Sequence, residues 1–122
     1  MNITLDAGVD APAVARHEMA RQRSRFGGRF DDALIVVTEL VTNSVLHGPQ
    51  GGTIDVVTSV TERCVQIDVT DDGSCFQRMG PDGHGLQIVS AIATRWGVVR
   101  GSCRVWADLD FAASTAGGED AG

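Results

Sequence analysis

The chain has 122 residues, is 43% apolar and 21% charged, and carries a formal net charge of −6. That length fits one domain with a real core, and the acidic balance argues against grip on nucleic-acid phosphates, which needs a basic footprint. No stretch approaches a membrane span and no basic-then-apolar leader opens the chain, so a cytoplasmic protein without direct nucleic-acid or membrane contact is expected.

Residues 2–5, NITL, predict a short strand. Asp10 followed by Ala-Pro-Ala marks a helix start, with aspartate as cap and proline in the first turn. This helix should run to about Gln22 or Arg25, where Gly27-Gly28 breaks it. The stretch from Arg16 to Arg29, RHEMARQRSRFGGR, concentrates arginines and is either a solvated helix face or a docking surface for an acidic protein.

A second helix is predicted from Phe30 or Asp31 to His47, with Asp31 and Asp32 at the positive end of its dipole. Ala33, Leu34, Val37, Leu40, Val41 and Val45 follow the helical period and define its buried face. Asp32, Glu39 and Asn43 project together on the opposite shoulder. His47-Gly48-Pro49 ends the helix and Gly51-Gly52 turns the chain.

The β-branched runs 53–60 and 64–70, joined by a short Thr-Glu-Arg link, read as an antiparallel hairpin. Residues 71–85 hold four glycines and a proline and cannot be regular throughout. Helical periodicity returns over 86–96, and 98–100 and 104–111 read as strands around a Gly101-Ser102 turn. Residues 112–122 are small, Gly-rich and acidic, the composition of a flexible tail. Strand, helix, helix, hairpin, loop, helix, hairpin predicts an α+β fold over 1–111. Its two layers would be helices on one face of a mainly antiparallel, mixed sheet. With no βαβ repeat, a doubly wound nucleotide fold is disfavoured.

Cys64, Cys75 and Cys103 fit no zinc or redox spacing. Cys64 and Cys103 lie in apolar strand runs, where cysteine acts as a small hydrophobe.

Three short motifs carry the chemistry. Glu39 and Asn43, four apart, share a helix face: a carboxylate able to take a proton and an amide oxygen suited to Mg²⁺. The pair is otherwise a polar rim. VTDDG, residues 69–73, leaves an interior strand, with Asp71 able to accept from an exocyclic amine and Gly73 allowing a flat base to approach. It is otherwise a turn. GHGL, residues 83–86, opens a helix whose first amides suit phosphate oxygens, and is neither a dinucleotide fingerprint nor a P-loop.

In this order the motifs resemble those of the GHKL ATPase superfamily, and more narrowly the small anti-sigma factor serine kinases. ELVTNSVLHG resembles their N box, VTDDG their adenine motif, GHGLQIVSAIATRWG their second glycine motif and RVWADL their closing strand. The resemblance spans roughly residues 3–111 and implies the Bergerat fold. It also implies ATP and Mg²⁺ as cofactors and phosphoryl transfer to a partner serine. Glu39 would be the general base and Asn43 the Mg²⁺ ligand. Asp71 would recognise adenine above Gly73, while Gly83, His84, Gly85 and Leu86 would support the phosphates. His47 stands where these proteins often carry a histidine, and capping or packing is its expected role. A sigma factor or an anti-anti-sigma protein would be the partner, met by the first helix and its arginines, and homodimerisation is common in that family.

Two departures frame an alternative. The adenine motif usually continues to a second glycine, where this chain has Cys75, and only nine residues, SCFQRMGPD with Arg78 among them, separate Gly73 from Gly83 in place of the usual lid. The alternative is a non-catalytic module that sequesters a partner on the same fold with weak or lost ATP binding. The ATPase half of a histidine kinase is disfavoured: His17 sits on a single helix, not in a dimerising hairpin.

Overall fold

The computed structural model describes residues 1–47, 51–72, 84–99 and 103–111. The elements are β1 (Asn2–Asp6), α1 (Ala11–Arg21), a 3-10 turn (Arg23–Arg29) and α2 (Phe30–His47), followed by β2 (Thr53–Val60) and β3 (Cys64–Asp71). They end with α3 (His84–Ile92), β4 (Arg95–Val99) and β5 (Cys103–Asp110). The strands form one sheet in the order β1-β2-β3-β5-β4. Every pairing is antiparallel, so the sheet is not mixed as expected. The crossover through α3 carries the chain past the place that β5 later fills, and β5 then pairs antiparallel on both sides.

Alternation along the strands sorts side chains into two faces. Across the sheet, Leu5, Ile54, Asp71 and Cys103 form one row facing the helices. Ile3, Val56, Val69, Val105 and Val98 form the next, and Val65 and Leu109 lie further along. All are buried or packed on the core, and burying each valine or leucine fully contributes about 1.5–3 kcal/mol. The other face is polar. Arg104 meets Asp68 at 2.7 Å, and Arg95 meets Asp110 at 2.6 Å and Asp108 at 3.3 Å. Those carboxylates, Asp110 foremost, hold the Arg95 guanidinium more firmly charged than usual.

In the helix layer, α2 lies between α1 and α3 and packs on β2, β3 and β5. Its buried face is Phe30, Ala33, Val36, Val37, Leu40, Val41 and Ser44, while Leu34 and Val45, predicted as core, are half-buried at its edge. The stripe is rotated slightly because two flanking helices cover its sides unequally.

Boundaries differ from the sequence expectation at two places. The Asp10 side chain makes no cap hydrogen bond; instead the Ala11 N–H donates to the Gly8 carbonyl at 3.0 Å. Pro12 does occupy the first turn. The last helix ends at Ile92, and Arg95 and Trp96, expected within it, begin β4. The pull comes from β5: Trp96 pairs with Ala107, Arg95 binds Asp108 and Asp110, and the Thr94 hydroxyl accepts from the Asp110 N–H at 2.9 Å. Helix α1 ends at Arg21, near the expected Gln22 but before the glycines expected to break it; Gly27, inside the 3-10 turn, sits at φ 55°, a left-handed value that suits glycine. The predicted tail, 112–122, lies outside the described residues.

Cys64 is a buried free thiol, as a small hydrophobe should be. Cys103 is also buried but is disulfide-bonded, which corrects its reading as a simple apolar filler. Its bonding partner lies outside the described residues.

Candidate functional site

Three contacts fix the start of α2. Gly27, just before α2, lies against the Phe111 ring, its projected Cβ 3.6 Å from that ring's edge. The Phe111 N–H donates to the Arg63 carbonyl at 2.7 Å, at the entry to β3. The helix therefore starts near the entry to β3, and it packs on β2, β3 and β5.

Arg29 supplies the third contact. Its Nη2 donates to the Ile92 carbonyl at 3.4 Å, and its Nη1 lies 3.3 Å from an Asp32 carboxylate oxygen. The start of α2 is thus tied to the end of α3, and the two helices pack against each other. Asp32, bound to the arginine that reaches α3, shares its shoulder of α2 with Glu39 and Asn43.

Glu39 and Asn43 are half-buried, neither core nor fully solvated rim. Asp71 is 8% exposed and is the one charged residue among the helix-facing sheet positions described. Its neighbours in that row are Ile54 and Cys103. The Asp-Asp pair of VTDDG divides its work: Asp71 turns inward, whereas the Asp72 Oδ2 accepts from the Thr53 N–H at 3.0 Å and ties the exit of β3 to the entry of β2. Leu86 is buried in the first turns of α3, so it anchors that helix. Helix α3 opens at His84, as the GHGL motif required.

Glu39 and Asn43 thus lie on one shoulder of α2, Asp71 at the helix-facing exit of β3, and Leu86 in the first turns of α3, which packs on α2. Gly73, Gly83, Cys75 and Arg78 lie outside the described residues, as do the side chains of His47 and His84. No group of three or more histidine, cysteine or carboxylate side chains suited to a metal ion occurs among the described residues. A hard cation at Asn43 would have to bring water or phosphate oxygens as its other ligands.

Arg29 has a structural role that the Arg16–Arg29 stretch did not reveal. It belongs to no motif, and its value lies in a contact across 63 positions that local spacing cannot reveal. Of the other arginines expected to form a docking surface, Arg16, Arg21, Arg23 and Arg25 are exposed. Arg21 pairs with Glu18 at 3.3 Å and Arg23 lies 4.7 Å over the Phe30 ring, which fixes their stems while leaving charge at the surface.

No helix among the described residues is long and apolar enough to cross a membrane. No protein-family model matches the chain, and no curated protein matches it significantly.

Proposed function

We propose that this chain is an ATP–Mg²⁺-binding regulator of the GHKL type, built on the Bergerat fold, that phosphorylates a serine of an anti-anti-sigma partner in the cytoplasm and restrains a sigma factor. What supports the reading is the half-buried Glu39–Asn43 shoulder of α2, the buried Asp71 carboxylate at the exit of β3 and the packing of α3 on α2. A carboxylate held in an otherwise apolar row suits a ligand that presents a hydrogen-bond donor inside a flat apolar slot, as the adenine amine does. The residues fit such a group.

When bound, ATP supplies the phosphoryl group and Mg²⁺ the positive charge that offsets its phosphates. Asn43 would offer its amide oxygen to the cation. Asp71 would accept from the base, and Leu86 would hold the first turn of α3, whose amides face the phosphates. Glu39 would orient the attacking serine hydroxyl and take its proton. The exposed arginines of α1 and the 3-10 turn are the surface offered to the acidic partner, and homodimerisation belongs to the same proposal.

Calorimetric titration with ATP–Mg²⁺, followed by phosphate transfer to candidate partners with native protein and Glu39→Ala, tests the reading. Binding together with transfer that Glu39→Ala abolishes supports it. Absence of binding at millimolar nucleotide overturns it. The latter result would favour the non-catalytic sequestering module, whose supporting observation is Cys75 in place of a glycine beside a nine-residue link.

A further inference from the structure

The outer edge of β1 carries an inference independent of nucleotide. Met1 exchanges hydrogen bonds with Thr58, amino nitrogen to carbonyl at 3.0 Å and Thr58 N–H to the Met1 carbonyl at 2.8 Å. Six residues on, the Ala7 N–H donates to the Gly52 carbonyl at 3.0 Å. Antiparallel pairing alternates, so Met1, Ile3, Leu5 and Ala7 turn their backbone toward β2. Asn2, Thr4 and Asp6 turn theirs away from the sheet. Among the described residues no strand lies beyond β1. The Asp6 carbonyl accepts from Gly8 at 2.8 Å, which closes the strand. Three N–H groups and the carbonyls of Asn2 and Thr4 remain directed outward, a short template for an added strand.

Beside this edge, where β1 turns into α1, is an open groove of about 570 Å³ lined by Thr4, Leu5, Asp6, Val9, Asp10 and Val14 among others. Val9 is 87% exposed and Val14 44%, an unusual outlay of β-branched apolar surface next to an open strand edge. No basic side chain lines the groove, whereas Asp6 and Asp10 both do.

We propose that this edge and groove dock an extended segment of a partner protein whose alternate residues are apolar and basic. Its backbone would extend the sheet past β1. Its apolar side chains would cover Val9 and Val14, and its lysines or arginines would meet Asp6 and Asp10. The charge decides among occupants: the chain's own 112–122 segment is acidic and a second copy brings a net charge of −6, so neither complements the groove. Five paired positions suit a segment of roughly five to seven residues.

The test uses the full chain and a capped peptide of about seven residues alternating lysine and valine, without nucleotide, so its outcome is separate from that of the kinase reading. Binding is followed by fluorescence anisotropy, and amide exchange by NMR. The proposal expects slowed exchange at Asn2, Thr4 and Asp6. It expects affinity about ten-fold or more weaker in Thr4→Pro, which deletes one outward donor while sparing the β2 ladder. The surface pair Asp6→Asn with Asp10→Asn, which leaves the backbone intact, should weaken binding similarly and flatten its salt dependence. Equal binding of a glutamate–valine peptide, or indifference to both variants, overturns it. A concentration-dependent dimer in ultracentrifugation that Thr4→Pro abolishes also overturns it, by assigning the edge to a second copy.

Discussion

The Arg29 guanidinium and the Ile92 carbonyl, 63 positions apart in sequence, meet at 3.4 Å and fix the start of α2 to the end of α3. A cation at a helix C-terminus also suits the negative end of the dipole. The bond is long and the Asp32 pair is partly exposed, so Arg29→Ala should cost only about 1–2 kcal/mol. The buried Nε of Arg29 has no hydrogen-bond partner. Arg29→Met, which keeps the apolar stem and removes that nitrogen, should therefore be milder than the alanine variant. Urea midpoints at unchanged m-value check the order, and faster amide exchange over α3 in both variants checks its cause.

Glu39 and Asn43 are neighbours on one shoulder but carry different chemistry, so their variants should separate. Glu39→Gln keeps shape and half-burial, and should bind ATP–Mg²⁺ normally while transfer falls by about 10²–10⁴-fold. Asn43→Ala should lose the increment in ATP affinity that Mg²⁺ adds, while binding without Mg²⁺ changes little. Titrations with and without Mg²⁺, beside single-turnover transfer, resolve the two. Equal losses in both variants would mean a merely structural shoulder.

Much of this arrangement was readable before any coordinates. The long helix from Phe30 to His47, both hairpins and the opening of α3 follow from periodicity and glycine placement, because local pattern dictates each. The polar pair was visible as well, since residues four apart share a face whatever surrounds them. What sequence could not supply is the anchoring of the start of α2, which rests on Gly27 against Phe111 and Arg29 on Ile92. The same holds for β4, where Trp96 follows a helical period yet pairs with Ala107 because β5 offers Asp108 and Asp110 to its neighbour Arg95. The two aspartates of VTDDG are alike in sequence, and only the register with Ile54 and Cys103 explains why Asp71 and not Asp72 points inward.

Asp71 should decide which base is accepted. Asp71→Asn replaces an acceptor-only carboxylate with an amide that also donates, at almost the same volume. ATP affinity should fall about ten-fold or more, and preference for ATP over GTP should shrink or reverse. Competition between the two nucleotides measures this directly. Thermal melts of the same variant supply the control, because a loss of stability that tracks the loss of binding would identify the carboxylate as part of the fold and not of the pocket.

Gly97 gives a test on the opposite face, away from the candidate site. The Trp106 indole lies flat over it, and a Cβ at position 97 would stand 2.9 Å from both Cζ2 and Nε1. Because backbone pairing to β5 holds residue 97 in place, the indole must swing aside. Gly97→Ala should therefore destabilise by about 1–3 kcal/mol, the ordinary range for overpacking, and not gain from the lost glycine flexibility. The displaced ring should red-shift in fluorescence as it meets water, with Trp96 contributing a constant background. Gly97→Ala combined with Trp106→Leu should recover most of the loss. If the single variant is as stable as the native chain and its emission is unmoved, the tight stacking of Trp106 on Gly97 is wrong.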